Sequence, residues 1–123
     1  MTPWRESETL GEVIERNMTD HANKVALIYR GRSHTYAEYG TRARRLANAL
    51  YDRGVRRQHR VAILAQNSNA HLEAYAACEL TGYIAAAVNY RLAGPEIHYV
   101  LKDSDVLVML GAREDLEKFR EVA

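Results

Sequence analysis

"RVAILAQNSNAHLEAYAACELTGYIAAAVNYRLAGPEIHYVLKDSDVLVML", residues 60–110, decides the fold. "RVAILA" (60–65) is a continuous apolar run that does not alternate, so it suits a strand covered on both faces, as parallel strands are. "IAAAV" (84–88) is a second strand of small residues, and "VLVML" (106–110) a third, buried one. Between the first two, "NSNAHLEAYAACELTG" places Leu72, Tyr75, Ala76 and Leu80 at helical spacing and closes on Gly82. Between the last two, "GPEIHYVLKDS" carries Pro95 in its first turn and turns Ile97, Val100 and Leu101 inward. Strands alternating with helices imply right-handed crossovers and a parallel sheet with helices on its faces.

The flanks extend this pattern. Upstream, "TYAEYGTRARRLANALYDRG" opens on Thr35 and Glu38 in capping-box spacing, carries Tyr39, Ala43, Leu46, Ala47 and Leu50 as a buried stripe, and ends where Gly54 supplies a left-handed cap. Before it, "KVALIYRGRSHTY" reads as two short strands around Gly31-Arg32, a type II′ turn with glycine first. "TLGEVIERNM" begins with a second capping box, Thr9 and Glu12, and sets Leu10, Val13, Ile14 and Met18 on one helical face. Downstream, "REDLEKFREV" is a last amphipathic helix using Leu116, Phe119 and Val122. The predicted class is α/β: three layers, a mainly parallel sheet with flanking helices, plus an antiparallel hairpin. One domain, residues 1–123 with no internal boundary, fits the length.

Apolar residues make up 47% of the chain, enough for a real core. Seventeen basic residues against sixteen acidic ones give a formal +1, which supplies no global attraction to nucleic acid or anionic membrane. The lone cysteine, Cys78, has no internal disulfide partner and fits a reducing, cytoplasmic setting. No run approaches the roughly 18 apolar residues of a membrane span. "MTPWRESETLGE" has no basic-then-apolar signal-peptide pattern.

Chemistry-bearing residues are sparse. His21, His34, His59, His71 and His98 are scattered, and Cys78 lies among alanines, so neither a metal centre nor a catalytic thiol is expected. Arg42 to Arg45, with Arg53, Arg56, Arg57 and Arg60, form the most basic region. A phosphate or nucleic-acid patch is one reading; a solvated helix face, with Glu38 pairing Arg42 four residues on, is the better one. No GxGxxG or GxxxxGK loop occurs. Asn89-Tyr90-Arg91 follows a strand's carboxyl end, where α/β proteins often place ligands. It reads either as a ligand contact or, preferentially, as the turn that fixes the next helix. No catalytic, cofactor-binding or metal residue is assigned. A receiver-like domain would need a phosphoacceptor Asp after a middle strand, where Ala65-Gln66-Asn67 stands instead.

Three stretches together resemble the amino-terminal part of adenylate-forming enzymes, the superfamily of acyl-CoA synthetases, 4-coumarate-type ligases, luciferases and peptide-synthetase adenylation domains. They are "HTYAEYGTRARRLANAL", "RVAILAQNSNAHLEAYAACELTGYIAAAVNYRL" and "PEIHYVLKDSDVLVML". "NYRL" followed by "PEI" looks more like a fatty or aromatic acyl-CoA synthetase than a peptide-synthetase domain. Ala87 stands where the family commonly has proline. The resemblance implies part of the family's large N-terminal domain and a parent reaction in which a carboxylate and Mg·ATP give an acyl-adenylate, which CoA converts to acyl-CoA and AMP. The family's phosphate loop, ribose-holding Asp and catalytic lysine have no counterpart here. The expectation is therefore a scaffold segment, a fragment or truncated relative, inactive alone and binding no ATP, Mg2+ or CoA. The alternative is a stand-alone α/β binding or interaction module without catalysis. Its expected partners are the remainder of the parent chain, or a second copy through an apolar patch at Val61, Ile63, Val106 and Val108.

Overall fold

The computed structural model of the protein describes residues 9–66 and 68–120, with side chains through Glu117. Its elements run α1 (Leu10–Asp20), β1 (Val25–Tyr29), β2 (Arg32–Thr35), α2 (Tyr36–Asp52) and β3 (Arg60–Leu64). They continue through α3 (Asn69–Thr81), β4 (Ile84–Ala87), α4 (Gly94–Asp103), β5 (Val108–Gly111) and α5 (Arg113–Arg120). β3, β4 and β5 form a parallel sheet in the order β4-β3-β5, with Val61 opposite Ala85 on one side and Val108 on the other. β1 and β2 pair separately as an antiparallel hairpin. The expected class and strand directions are those observed.

The strand order explains the layers. From β3 the chain crosses one way to β4, then back over β3 to β5, so crossovers of one hand put their helices on opposite faces. One face packs Val61 with Leu50 of α2 and Cys78 of α3. The other packs Ala62 and Leu64 with Ile97 and Leu101 of α4. β3 is thus buried on both sides, and Val61, Ile63 and Leu64 each contribute roughly 1.5–3 kcal/mol by leaving water.

Local signals hold the ends. Thr35 Oγ1 accepts from the Glu38 amide at 3.2 Å, and Glu38 Oε1 accepts from the Thr35 amide at 2.9 Å. Those bonds hold the Glu38 carboxyl below its usual range, the backbone one most strongly. Thr9 and Glu12 repeat the arrangement at α1. At α4 the N-cap is Ala93, which has no side-chain acceptor, so only the Glu96 half is made. α2 ends on Gly54 (φ 98°), with Gly54 N–H donating to the Tyr51 carbonyl and Val55 N–H to that of Leu50. This is a Schellman close, and its two apolar residues, Leu50 and Val55, are both core.

Five expectations need correction. The hairpin loop is Arg30-Gly31 rather than Gly31-Arg32, and φ is positive at both (49° and 77°), which is a type I′ rather than a type II′ turn. β5 starts at Val108, because Asp105 turns at φ 52° and the first ladder bond, Leu107 N–H to the Arg60 carbonyl, forms only afterwards. Leu72 is exposed, while Glu73, Ala74, Ala76, Ala77 and Cys78 face inward; α3 is apolar on several sides, so periodicity alone does not choose its face. Leu10 is exposed too, and α1 approaches its neighbours through Gly11. Finally, Val61 and Ile63 are fully covered within the chain, and Val106 and Val108 are half-buried, so they do not form the apolar patch expected. Exposed apolar surface lies instead at Ile28, Ile84, Tyr99 and Leu107. Phe119 and Val122 lie outside the described side chains.

Candidate functional site

The strand order also locates a crevice. Connections leave β3 toward β4 and away from β5, so the carboxyl ends of β3 and β5 part around a switch point, where open α/β sheets bind ligands. A cleft of about 370 Å³ opens there. Ile63 and Ala65 of the β3 end, Leu110 and Ala112 of the β5 end, and Leu46 of α2 make its apolar walls. Gln66, Ser68, His71 and Glu73 supply its polar groups.

Ser68, His71 and Glu73 each have a structural cause for their position. Ser68 caps α3, its Oγ accepting from the His71 amide at 3.1 Å. That fixes His71 in the first turn, with its ring edge-on to Tyr75 at 4.9 Å between centroids. His71 Nδ1 is buried and makes no hydrogen bond among the described residues. Glu73, on the inward face of α3, is bound by Arg42 Nε from α2. The carboxylate holds the Arg42 guanidinium's pKa above its ordinary value, through the hydrogen bond first and charge second. Arg42 therefore pairs with Glu73, rather than Glu38 as expected; Glu38 is committed to its cap. Burial, with help from Glu79 and Glu73, pushes Tyr39 up to about 12.

The residues singled out from sequence do not converge. Asn89, Tyr90 and Arg91 follow β4, an edge strand away from the switch point. Asn89 Oδ1 accepts from the Arg91 amide at 2.9 Å, its carbonyl accepts from Leu92 N–H, and Arg91 lies over the Tyr90 ring at 5.3 Å. These bonds make it the turn that sets α4. His59 Nδ1 accepts from the Arg56 amide, and Arg56 stacks on Tyr51 at 3.5 Å and donates to two carbonyls. Arg60 donates to the Ser104 carbonyl, and Arg44 faces Glu15 at 3.6 Å. Most of the basic region is thus spent on structure. Burial, aided by Glu79, pushes the Cys78 thiol up to about 11, which suits packing rather than attack.

The crevice does not fit the triphosphate of ATP or the phosphates of CoA: among the described residues no lysine or arginine lines it, and its carboxylate, Glu73, is already paired with Arg42. Among the described residues no three His, Cys, Asp or Glu groups gather to hold a metal ion. The slot suits the apolar body of a ligand, with an imidazole nitrogen as its polar contact.

The family described as AMP-binding enzyme matches residues 14–123. The chain belongs to that family. Feruloyl-CoA synthase from Amycolatopsis sp is 39% identical over 111 residues, covering 90% of this chain and 22% of that protein. The 3-oxocholest-4-en-26-oate–CoA ligase of Rhodococcus rhodochrous is 31% identical, covering 92% of this chain and 20% of the ligase. An anthranilate CoA ligase solved with anthranoyl-AMP superposes with a TM-score of 0.88 at 29% identity, over 94% of this chain and 22% of that one. The chain spans about a fifth of the length of these relatives. The AMP-binding fold, with its parallel sheet and separate hairpin, is that of the N-terminal domains of such ligases.

Sequence reasoning missed Glu73 and the crevice. The signal was present: Glu73 stands three and four residues before Ala76 and Ala77, on one face of α3, and an α2 arginine was available to neutralise it. The switch point needed the strand order, which alternation of strands and helices does not supply.

Proposed function

We propose that this chain is the amino-terminal scaffold of an AMP-forming acid–thiol ligase, which joins a carboxylic acid to CoA through an acyl-adenylate. The observation that carries the reading is the match of residues 14–123 to AMP-binding enzymes, beside a crevice that has no phosphate-binding cation among the described residues. The chain supplies a parallel sheet and an apolar slot; ATP, Mg2+ and CoA serve the larger protein's reaction, and none is expected in the crevice. The 39% identity to a feruloyl-CoA synthase favours an aromatic acid, with a fatty acid as the next class. Among the described residues no helix is long and apolar enough to cross a membrane, and a cytoplasmic site of action is consistent with the buried free thiol. Exposed Ile28, Ile84, Tyr99 and Leu107 are surface for the remainder of the polypeptide to cover, or for a second copy to share.

A pyrophosphate-exchange assay tests the division of labour. The chain alone, with ATP, labelled pyrophosphate and a panel of aromatic and fatty acids, should give no exchange above buffer; clear exchange would refute it. A second reading, a stand-alone binding module, draws support from the full burial of Val61 and Ile63 within this chain.

A further inference from the structure

A second cleft, sharing only Ser68 and Ala70 with the crevice, lies between the β1–β2 turn, α2 and the first turn of α3. We propose that it binds a multiply charged phosphate or polyphosphate group. Arg30, Arg32 and His34 reach it from the hairpin and Arg42 from α2, around a volume of about 340 Å³. Among the described residues no carboxylate lines it, although basic and acidic residues balance to within one over the whole chain. Arg30 and Arg32 have no ion-pair partner among the described residues, so their charge is available. Arg42 is anchored through Nε to Glu73 while half of its side chain remains exposed, which holds its terminal nitrogens in place for an anion.

Two further observations point the same way. The Asn69 and Ala70 amides, which open α3, have no acceptor among the described residues: Ser68 Oγ takes His71 N–H and its carbonyl takes Leu72 N–H. No acidic residue occupies that first turn, so nothing competes with an external anion for the helix's positive end. Arg30 holds φ 49° at a turn position where asparagine or glycine is favoured. An arginine there is poorly suited to the turn but puts a guanidinium at the cleft mouth. This reading concerns the chain itself and does not depend on the ligase assignment.

The test is an amide and guanidinium NMR titration of the isotope-labelled chain with inorganic tripolyphosphate at fixed ionic strength. Saturable shifts are expected at Asn69, Ala70, Arg30 and Arg32, with affinity falling about five- to tenfold in Arg30→Asn and in Arg32→Gln. Arg30→Asn should keep or raise the melting temperature, because asparagine suits the left-handed position, so its weaker binding cannot come from unfolding. ATP in place of tripolyphosphate separates sources: equal affinity assigns the site to the phosphates alone, tighter binding to a nucleotide. Absence of saturable shifts at about 5 mM tripolyphosphate, equal shifts with sulfate, or unchanged affinity in both variants would overturn the proposal.

Discussion

Replacing Arg42 with alanine isolates the contact that joins α2 to α3 behind the crevice. Glu73 has a side chain only 8% exposed, whereas that of Arg42 is 50% exposed. Breaking a fully buried pair costs about 3–5 kcal/mol, and an exposed pair is worth about 0–1 kcal/mol. Because Arg42 stays half in water, the loss falls between these, near the ~2 kcal/mol of a hydrogen bond to a charged group. The carboxylate it abandons is the buried partner, so Arg42→Ala should cost more than Glu73→Gln, which keeps an acceptor for Nε. In urea, ~2 kcal/mol corresponds to a midpoint lower by roughly 1 M, and in a thermal melt to roughly 8 °C at this length. The double variant Arg42→Ala/Glu73→Ala should be less destabilised than the sum of the singles by about 1 kcal/mol or more. A loss below about 0.5 kcal/mol for Arg42→Ala, or an additive cycle, would show an ordinary surface ion pair and refute the reasoning.

Gly11→Ala should destabilise by about 1–3 kcal/mol despite alanine's helix propensity, because a Cβ there meets the Glu79 carbonyl oxygen at 2.6 Å and backbone cannot move aside. At Gly40 the nearest atoms to such a Cβ belong to the unbranched, flexible side chain of Met18 rather than to backbone, so Gly40→Ala should cost less; chemical denaturation of the pair, side by side, checks the order. Alkaline titration gives the third expectation. Folded Cys78 and Tyr39 are pushed up to about 11 and about 12. The folded state therefore keeps protons that the unfolded state releases, so stability should fall as pH rises from about 9 to about 12. A thiol reagent at about pH 8 should meet roughly one thiolate in a thousand molecules at Cys78 and react only after unfolding; rapid native labelling would contradict the burial.

What the sequence disclosed followed from local physics. Thr9-Glu12 and Thr35-Glu38 mark helix starts because their bonds close within four residues. Gly54 marks an end because its φ of 98° excludes most residues. "RVAILA" read as a strand covered on both faces, because such burial leaves no alternation along it. Long-range choices were hidden. The face of α3 was decided by close packing of Ala74, Ala76 and Ala77 rather than by its larger residues. The strands β4 and β5 are equally apolar, so nothing local said that both flank β3, and the crevice between β3 and β5 was invisible without that order. The turn at Arg30-Gly31 shifted one residue because an arginine accepted a positive φ that propensity assigns elsewhere.

The most direct test of the central claim is a chimera in which this chain replaces the matched 111-residue segment of the Amycolatopsis feruloyl-CoA synthase. If the chain is an interchangeable ligase scaffold, the chimera should fold and form feruloyl-CoA from ferulate, ATP and CoA. Activity within about a hundredfold of the parent corresponds to no more than ~3 kcal/mol of lost transition-state stabilisation. A chimera that folds cooperatively yet forms no acyl-adenylate would contradict the account.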